Sequence, residues 1–233
     1  MTSASQQLAE IIGEHRVSTD PGDLTRHSGD LSAGGLLAAR AGVASGPPVC
    51  VVRPGSTEQV SQIVRWANRT STPLVPFGGG SDVLGAIRPG GAVVIDMRAM
   101  NEIVAFDEKS RLVTVQAGML GPELSDALAA WGYMLGHEPQ SVAISTVGGW
   151  VSTRATGQLS ARYGGIEHLI AGLEAVLPNG NVVRSKIVPR RAAGPDVAGL
   201  LIGAEGSLGI VTEVSLKVNP IPDAADRVDV CLR

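Results

Sequence analysis

Four stretches of this 233-residue chain hold residue types that could bind a ligand or carry out chemistry. The sharpest is Pro76-Phe77-Gly78-Gly79-Gly80-Ser81-Asp82-Val83. Three successive glycines after an apolar run let backbone N–H groups curl into an anion-binding nest. Their lack of Cβ atoms lets a phosphate lie against the chain. A tight structural turn would use the same residues. The stretch is not a dinucleotide fingerprint, because Val83 stands where the third glycine belongs. It is not a P-loop either, because no Lys-Ser/Thr pair follows.

Residues 139–157 set Ser141, Ser145, Thr146, Ser152, Thr153 and Thr156 among glycines. Hydroxyls and free N–H groups at a helix start suit a phosphate, a polyol or a ring edge, and a capped flexible loop would look similar. Residues 203–211 form a glycine turn feeding a strand. Ser207 within it lacks the G-x-S-x-G spacing of a nucleophile and has no histidine near it in sequence, so backbone contact with a ligand is the reading left open. The four histidines, His15, His27, His137 and His168, show no metal-ligand spacing. His137-Glu138 runs into Pro139 with no second histidine four residues on, so no zinc helix and no metal site are expected. No side chain is assigned a catalytic role.

The elements that must position these stretches can be read from periodicity. A short helix is expected over 3–14, with Leu8, Ile11 and Ile12 on one face. Residues 18–46 are polar and glycine-rich, and read as an arm over the domain. A strand at 49–52 leads to a helix capped by Ser56 or Thr57, whose apolar stripe is Val60, Ile63, Val64 and Ala67. Residues 74–77 form the strand that runs into the glycines, completing a βαβ unit. Further strands are expected at 93–97, 102–107, 112–117, 169–177, 181–185 and 210–218, with helices at 121–131 and 196–202. The stretch 139–165 shows little periodicity. The fold class is α+β: a βαβ subdomain, then a mixed sheet with hairpins, with the glycine loops converging between them.

Bulk composition sets limits. Hydrophobic residues make up 44%, aromatics 3% and glycines number 30, so the core is aliphatic and backbone approaches are close. Nineteen basic and 22 acidic residues give a net charge of -3 with no charge block, which argues against nucleic acid as a partner. Cys50 and Cys231 give no disulfide pattern. No secretory signal is read at 1–12, and no apolar run reaches the ~18–20 residues of a membrane span. The expected location is the cytoplasm, with peripheral membrane contact left open.

The order of motifs then carries a resemblance. The glycine loop is followed by P-x-S-x-x-x-S-T-x-G-G at 139–149, Y-G-x-I-E-x-L at 163–169 and G-x-E-G-x-L-G-I-x-T-E at 203–213. This order resembles the FAD domain of the vanillyl-alcohol oxidase and p-cresol methylhydroxylase (PCMH-type) superfamily. Within it, residues 136–157, the stretch PRRAAGPD at 189–196 and RHS at 26–28 look most like the alkyldihydroxyacetonephosphate synthases. The resemblance implies a PCMH-type FAD-binding domain of two α/β subdomains with FAD between them. Residues 1–45 would form an N-terminal helix and arm, 46–222 the FAD domain, and 223–233 the truncated start of a C-terminal substrate domain.

It also implies roles. Pro76, Phe77, Gly78, Gly79, Gly80, Ser81 and Asp82 would cradle the diphosphate. Gln140, Ser141, Val142, Ala143, Ile144, Ser145 and Thr146 would continue along diphosphate and ribitol. Thr153, Arg154, Ala155 and Thr156 would approach the flavin. Glu205, Gly206, Ser207, Leu208, Gly209, Ile210 and Val211 would meet the adenosine or the flavin edge. The FAD is expected to be non-covalent, because the position matching a tethering histidine is Gly80. Two positions depart from the family pattern: Gln140 stands where Asp is usual, and Asp82 where a small hydroxyl is usual. A carboxylate at 82 would repel a diphosphate unless it points away or pairs, for instance with Arg88. In these synthases FAD exchanges an acyl group of acyl-dihydroxyacetone phosphate for a long-chain alcohol through a flavin N5 adduct. A C-terminal domain supplies a tyrosine and a histidine cluster. The alternatives on the same scaffold are an FAD-linked oxidase or dehydrogenase of a 2-hydroxy acid or alcohol, and an inactive flavin-binding fragment or subunit. Expected partners are FAD, a small-molecule or lipid substrate, and a C-terminal half or a second copy.

Overall fold

A computed structural model of the chain describes residues 2–42, 46–188 and 192–224. The strand expected at 227–233, Cys231, and residues 189–191 of the PRRAAGPD stretch lie outside the described residues.

The first unit is a four-stranded sheet in the order β1-β2-β4-β3. Its strands are β1 (Val17–Ser18), β2 (Cys50–Val52), β3 (Leu74–Phe77) and β4 (Val93–Asp96), with β2, β4 and β3 parallel. Helix α1 (Ala4–Ile12) starts with a capping box between Ser3 and Gln6 and buries Leu8 and Ile12. Its Gln7 accepts a 2.8 Å bond from the Trp66 indole. The arm is more ordered than its composition suggests. It contains α2 (Pro21–Arg26), capped by Asp20, and α3 (Ala33–Arg40), capped by Ser32. Neither shows an apolar stripe: α2 buries Asp23 and α3 buries nothing. Caps and polar contacts hold them, which is why periodicity does not announce them.

Helix α4 (Thr57–Thr70) connects β2 to β3. Ser56 caps it, Glu58 lies in its first turn, and Val60, Ile63, Val64, Trp66 and Ala67 are buried. Each large aliphatic in that stripe contributes about 1.5–3 kcal/mol of burial, so the stripe dictates the packing. With Cys50, Val52, Val93 and Ile95 it builds the first core.

The second unit is an antiparallel sheet in the order β5-β6-β10-β8-β9. In chain order it holds β5 (Ile103–Asp107), β6 (Leu112–Gln116), α5 (Gly121–Ala130), β7 (Tyr133–Met134), α6 (Val147–Thr153), α7 (Ser160–Tyr163), α8 (Ile166–Leu169), β8 (Ile170–Val176), β9 (Val182–Arg184), α9 (Val197–Leu201), β10 (Ile210–Lys217) and β11 (Asn219–Pro220). β11 and β7 pair apart from the main sheet. On α5, Leu124 and Leu128 are buried and Ala127 half-buried. The unpatterned stretch 139–165 contains helices after all. Gly148 and Gly149 each weaken α6 by about 1 kcal/mol. The Thr146 cap, accepting from Gly149 N at 3.2 Å, and the burial of Val147, Trp150 and Val151 outweigh that loss.

The two units are joined along α4 and the β8–β9 hairpin. Ser61 Oγ donates to Gly180 O at 2.6 Å, and Asn68 Nδ2 donates to Pro178 O at 2.7 Å. The buried carboxylate of Glu174 accepts from Thr57 Oγ1 at 2.5 Å and Thr212 Oγ1 at 2.8 Å, and pairs with Arg184 Nε at 2.5 Å. Val176 and Ile210 of the second sheet complete the first core. These contacts fix the sheets on one side and leave a cleft on the other.

Candidate cofactor cleft

The cleft has a volume of about 890 Å³, within the ~300–1,000 Å³ typical of ligand sites. One wall is the end of β3 and the loop after it, from Leu74 to Ile87. The other is made by Pro139 to Ser141, Ser145 and Thr146, most of α6, the segment to Gln158, and the turn before β10.

The glycine loop offers donors. Among the described residues, none accepts a hydrogen bond from the backbone amides of Gly78, Gly79, Gly80 or Ser81. Four such donors on a cleft wall form the nest expected of an anion site. Opposite them stand Thr146, whose hydroxyl caps α6, and Ser141.

Close approach explains the three glycines differently from the sequence expectation. A Cβ on Gly79 would collide with the Ile144 carbonyl, and one on Gly78 with the Thr146 hydroxyl. These glycines let the two walls touch, so Gly79 is closed to side chains by protein backbone rather than by a ligand. Gly80 has φ +69, and a Cβ there would lie 2.7 Å from the Phe77 ring.

The carboxylate of Asp82 is turned into its own loop. Its Oδ2 accepts from the backbone amides of Leu84 at 3.2 Å, Gly85 at 3.0 Å and Ala86 at 3.0 Å. The partner considered from the sequence, Arg88, instead donates to Gly85 O at 2.9 Å. Asp82 is therefore satisfied as a loop cap by three backbone donors.

Of the residues singled out by sequence, Pro76 through Asp82, Gln140, Ser141, Ser145, Thr146, Thr153 through Thr156, Glu205 through Ser207 and Gly209 through Val211 all line the cleft. Val142, Ala143, Ile144 and Leu208 do not. Val142 packs on the second core, and Ile144 and Leu208 are about half exposed. The fold adds Leu84, Ala86, Ile87, Met97, Ala117, Trp150 and Gln158. Met97 and Ala117 belong to no motif and reach the cleft through the packing of distant strands. Trp150 sits inside the motif 139–157 and was the one with a local signal. Its indole donates to Ser145 Oγ at 2.7 Å, fixing the loop beside the cleft.

Asp82, Arg154 and Glu205 are the charged residues on the wall among those described. Arg154 and Glu205 both adopt left-handed backbone, at φ 51 and 49. Each costs about 1–3 kcal/mol for a residue other than glycine, and two of the four such residues among those described, the others being Ser71 and Arg111, lie on the cleft wall. His137 stays out of the cleft. It is buried with its ring 4.9 Å from Trp150, and neither ring nitrogen has a hydrogen-bond partner. Burial pushes its pKa down to about 4, against the opposing charge of Glu167. No group of metal-ligating side chains occurs among the described residues. No helix among them is long and apolar enough to cross a membrane.

A two-unit α+β fold with an anion nest on one wall and a capped, hydroxyl-rich loop on the other defines a dinucleotide-cofactor domain. Comparison with known proteins identifies which kind. Residues 48–186 match the FAD binding domain family, and the chain belongs to it. It is 42% identical over 215 residues to an uncharacterized FAD-linked oxidoreductase, YgcU, of Escherichia coli strain K12, covering 91% of this chain and 44% of the relative. It is 31% identical to the alkyldihydroxyacetonephosphate synthase of Trypanosoma brucei brucei, covering 93% of this chain and 36% of that protein. It is 38% identical to the mitochondrial D-lactate dehydrogenase [cytochrome] of Arabidopsis thaliana, covering 75% of this chain and 31% of that protein. A solved alkyldihydroxyacetonephosphate synthase superimposes with a TM-score of 0.86 at 34% identity, covering 94% of this chain and 40% of the other. The cofactor of the domain is FAD, and the fold is the α+β PCMH-type domain. The chain spans less than half the length of these relatives.

Proposed function

We propose that this chain is the FAD-binding portion of a flavoenzyme resembling alkyldihydroxyacetonephosphate synthase, and that it holds FAD non-covalently in the cleft. The observation that carries this is the row of free amides at Gly78, Gly79, Gly80 and Ser81 facing the Thr146-capped start of α6. In this reading those amides hold the diphosphate, Gln140, Ser141, Ser145 and Thr146 continue along it, Thr153 to Thr156 lie against the flavin, and Glu205 to Ser207 with Gly209 to Val211 border the remaining edge. Residues 1–45 are the arm, 46–222 the FAD domain, and 223–233 the beginning of a substrate domain.

Bound FAD supplies the reactive flavin ring. The chain's residues bind it, orient it and keep water from one face. Among the described residues of the lining the charged side chains are Asp82, which caps its loop, and Arg154 and Glu205, and His137 lies outside the cleft, so the wall carries no histidine and few acid–base groups. Substrate-side groups then come from a further domain or a second copy. The reading favoured by the motifs at 136–157 is acyl-to-alkyl exchange. A second reading, an FAD-linked oxidase or dehydrogenase of a 2-hydroxy acid or alcohol, draws on the 42% identity to the Escherichia coli oxidoreductase and the 38% to the D-lactate dehydrogenase. The test starts with FAD titration of the purified chain. The protein extended by a C-terminal half is then offered acyl-dihydroxyacetone phosphate with a long-chain alcohol, and separately D-lactate with a dye. Ether product supports the first reading and dye reduction the second. Failure to bind FAD at all overturns both. The chain alone is expected to bind FAD without turnover.

A further inference from the structure

We propose that residues 20–32 of the N-terminal arm set the conformation of the cofactor loop from its outer side, with His27 and Asp30 as positioning residues for FAD. The inference rests on the reading that the loop at 78–81 receives the diphosphate.

Among the described residues, none of the arm lines the cleft. The arm nevertheless grips the loop at three points. Leu31 N donates to Asp82 O at 2.8 Å. Ile87 N donates to Asp30 Oδ2 at 3.1 Å, while Asp30 Oδ1 accepts from Ser32 N at 3.0 Å. The His27 ring stands 4.6 Å from the Phe77 ring, and Phe77 fills the space beside Gly80 that a Cβ would take. Burial would push the Asp30 carboxyl up, but hydrogen bonds from Ser32 and Ile87, together with contact with the Asp82 carboxyl, outweigh it and hold the group below the usual carboxylate range. The Asp30 bonds are therefore charge-assisted at neutral pH.

The arm is in turn tied to the sheet that launches the loop. Arg53, just past β2, makes a two-pronged contact with Asp23 at 2.7 and 2.8 Å and reaches Asp96 at the end of β4 at 3.2 Å. His27 is buried, with Nδ1 2.8 Å from Asp23 O and Nε2 3.2 Å from Arg98 Nη2. Nε2 also stands 3.3 Å from Asp96 Oδ2, so the ring is held between the arm and the end of β4. The loop thus has a rigid reference on its outer side. Its inner amides make no protein bonds that would hold them in place. A triple-glycine segment has much freedom to lose on binding, and whatever fixes it beforehand strengthens the ligand's hold.

Linkage makes the proposal testable on the unaltered chain. If the arm raises FAD affinity through the loop, FAD must stabilise the arm by the same factor. Amide exchange of residues 24–32 should slow on FAD addition, although they do not touch the cleft. Asp30→Ala should weaken FAD binding by about tenfold or more, the loss of a charge-assisted bond expressed as affinity. The melting midpoint of the FAD-free protein should change little, because no core residue is altered. His27→Ala should act in the same direction. Gly79→Val, which strikes the cleft wall itself, is the control. If FAD leaves arm exchange unchanged and Asp30→Ala binds FAD like the parent while Gly79→Val does not, the positioning role is wrong and the cleft assignment stands. If Gly79→Val also binds normally, the cleft assignment fails and the inference falls with it.

Discussion

Acidification should weaken the fold through His137 well before carboxylates titrate. Both ring nitrogens are buried without partners, so a charged imidazolium there would have no acceptor apart from the Glu167 carboxylate nearby. Burial holds the folded-state pKa near 4, while an unfolded chain would show the ordinary value of about 6.5. The unfolded state therefore binds a proton below about pH 6.5 that the folded state refuses until about pH 4. Stability is fully present above 6.5 and is lost as the pH falls through that window. The linkage relation gives about 2 kcal/mol lost by pH 5 and about 3 kcal/mol by pH 4.

The assay is urea unfolding at pH 7.5 and pH 5.0 for the parent and for His137→Phe. The variant keeps an aromatic ring against Trp150 and removes the proton site. Subtracting the two cancels the other histidines and the acidic residues. The parent should lose about 2 kcal/mol more than the variant between the two pH values. An identical loss in both would refute the argument, and would mean that protonated His137 finds Glu167 or water without breaking the packing.

Further outcomes follow from the cleft and the seam between the units. Asp82→Ser should weaken FAD binding rather than tighten it, because a hydroxyl cannot replace a carboxylate shared by three loop amides; FAD fluorescence titration reads the dissociation constant, and tighter binding would contradict the capping role. Gly79→Val should lose FAD together with some cooperativity of unfolding, since its side chain would part the two walls at Ile144; normal titration would count against the close approach. Glu174→Ala should cost roughly 2–4 kcal/mol in chemical denaturation, because Thr57, Thr212 and Arg184 all lose their shared partner; a loss below 1 kcal/mol would show that the seam does not depend on it. Acid precipitation should leave all yellow colour in the supernatant, and flavin in the pellet would mean a covalent link.

The elements with an apolar period were legible in the sequence. Helix α4 could be read from Ser56, Val60, Ile63, Val64 and Ala67, and the β5–β6 and β8–β9 hairpins from alternation and turn residues. What stayed hidden lacks such a period. Helices α2 and α3 are held by Asp20 and Ser32 caps, and α6 carries two glycines that argue against a helix until the burial of Trp150 is known. The candidate site was legible as a set of loops, because glycine clusters mark close backbone approach. The direction of each group was not. Asp82 was expected to repel the diphosphate unless it pointed away or paired, for instance with Arg88; it points away into its own loop, and Arg88 is not its partner. Which wall a glycine faces depends on a segment about sixty residues away, and no local pattern encodes it.

The same distinction explains why the cleft names a cofactor more readily than a reaction. Apart from Gln140, Gln158, Arg154 and Glu205, its polar lining consists of backbone amides and hydroxyls, with Asp82 used internally. Amides and hydroxyls hold a diphosphate and a polyol equally well whatever the flavin is later used for. Relatives called an alkyldihydroxyacetonephosphate synthase and a D-lactate dehydrogenase can therefore share this domain at 31% and 38% identity while differing in what they do. Residues that select a reaction must touch the substrate, and in this chain the wall offers few that could. Arg154 and Glu205 are the exceptions: both are charged, both line the cleft, and both are held in left-handed backbone at a cost. If the domain itself biases the chemistry, the bias resides in the charge these two residues present.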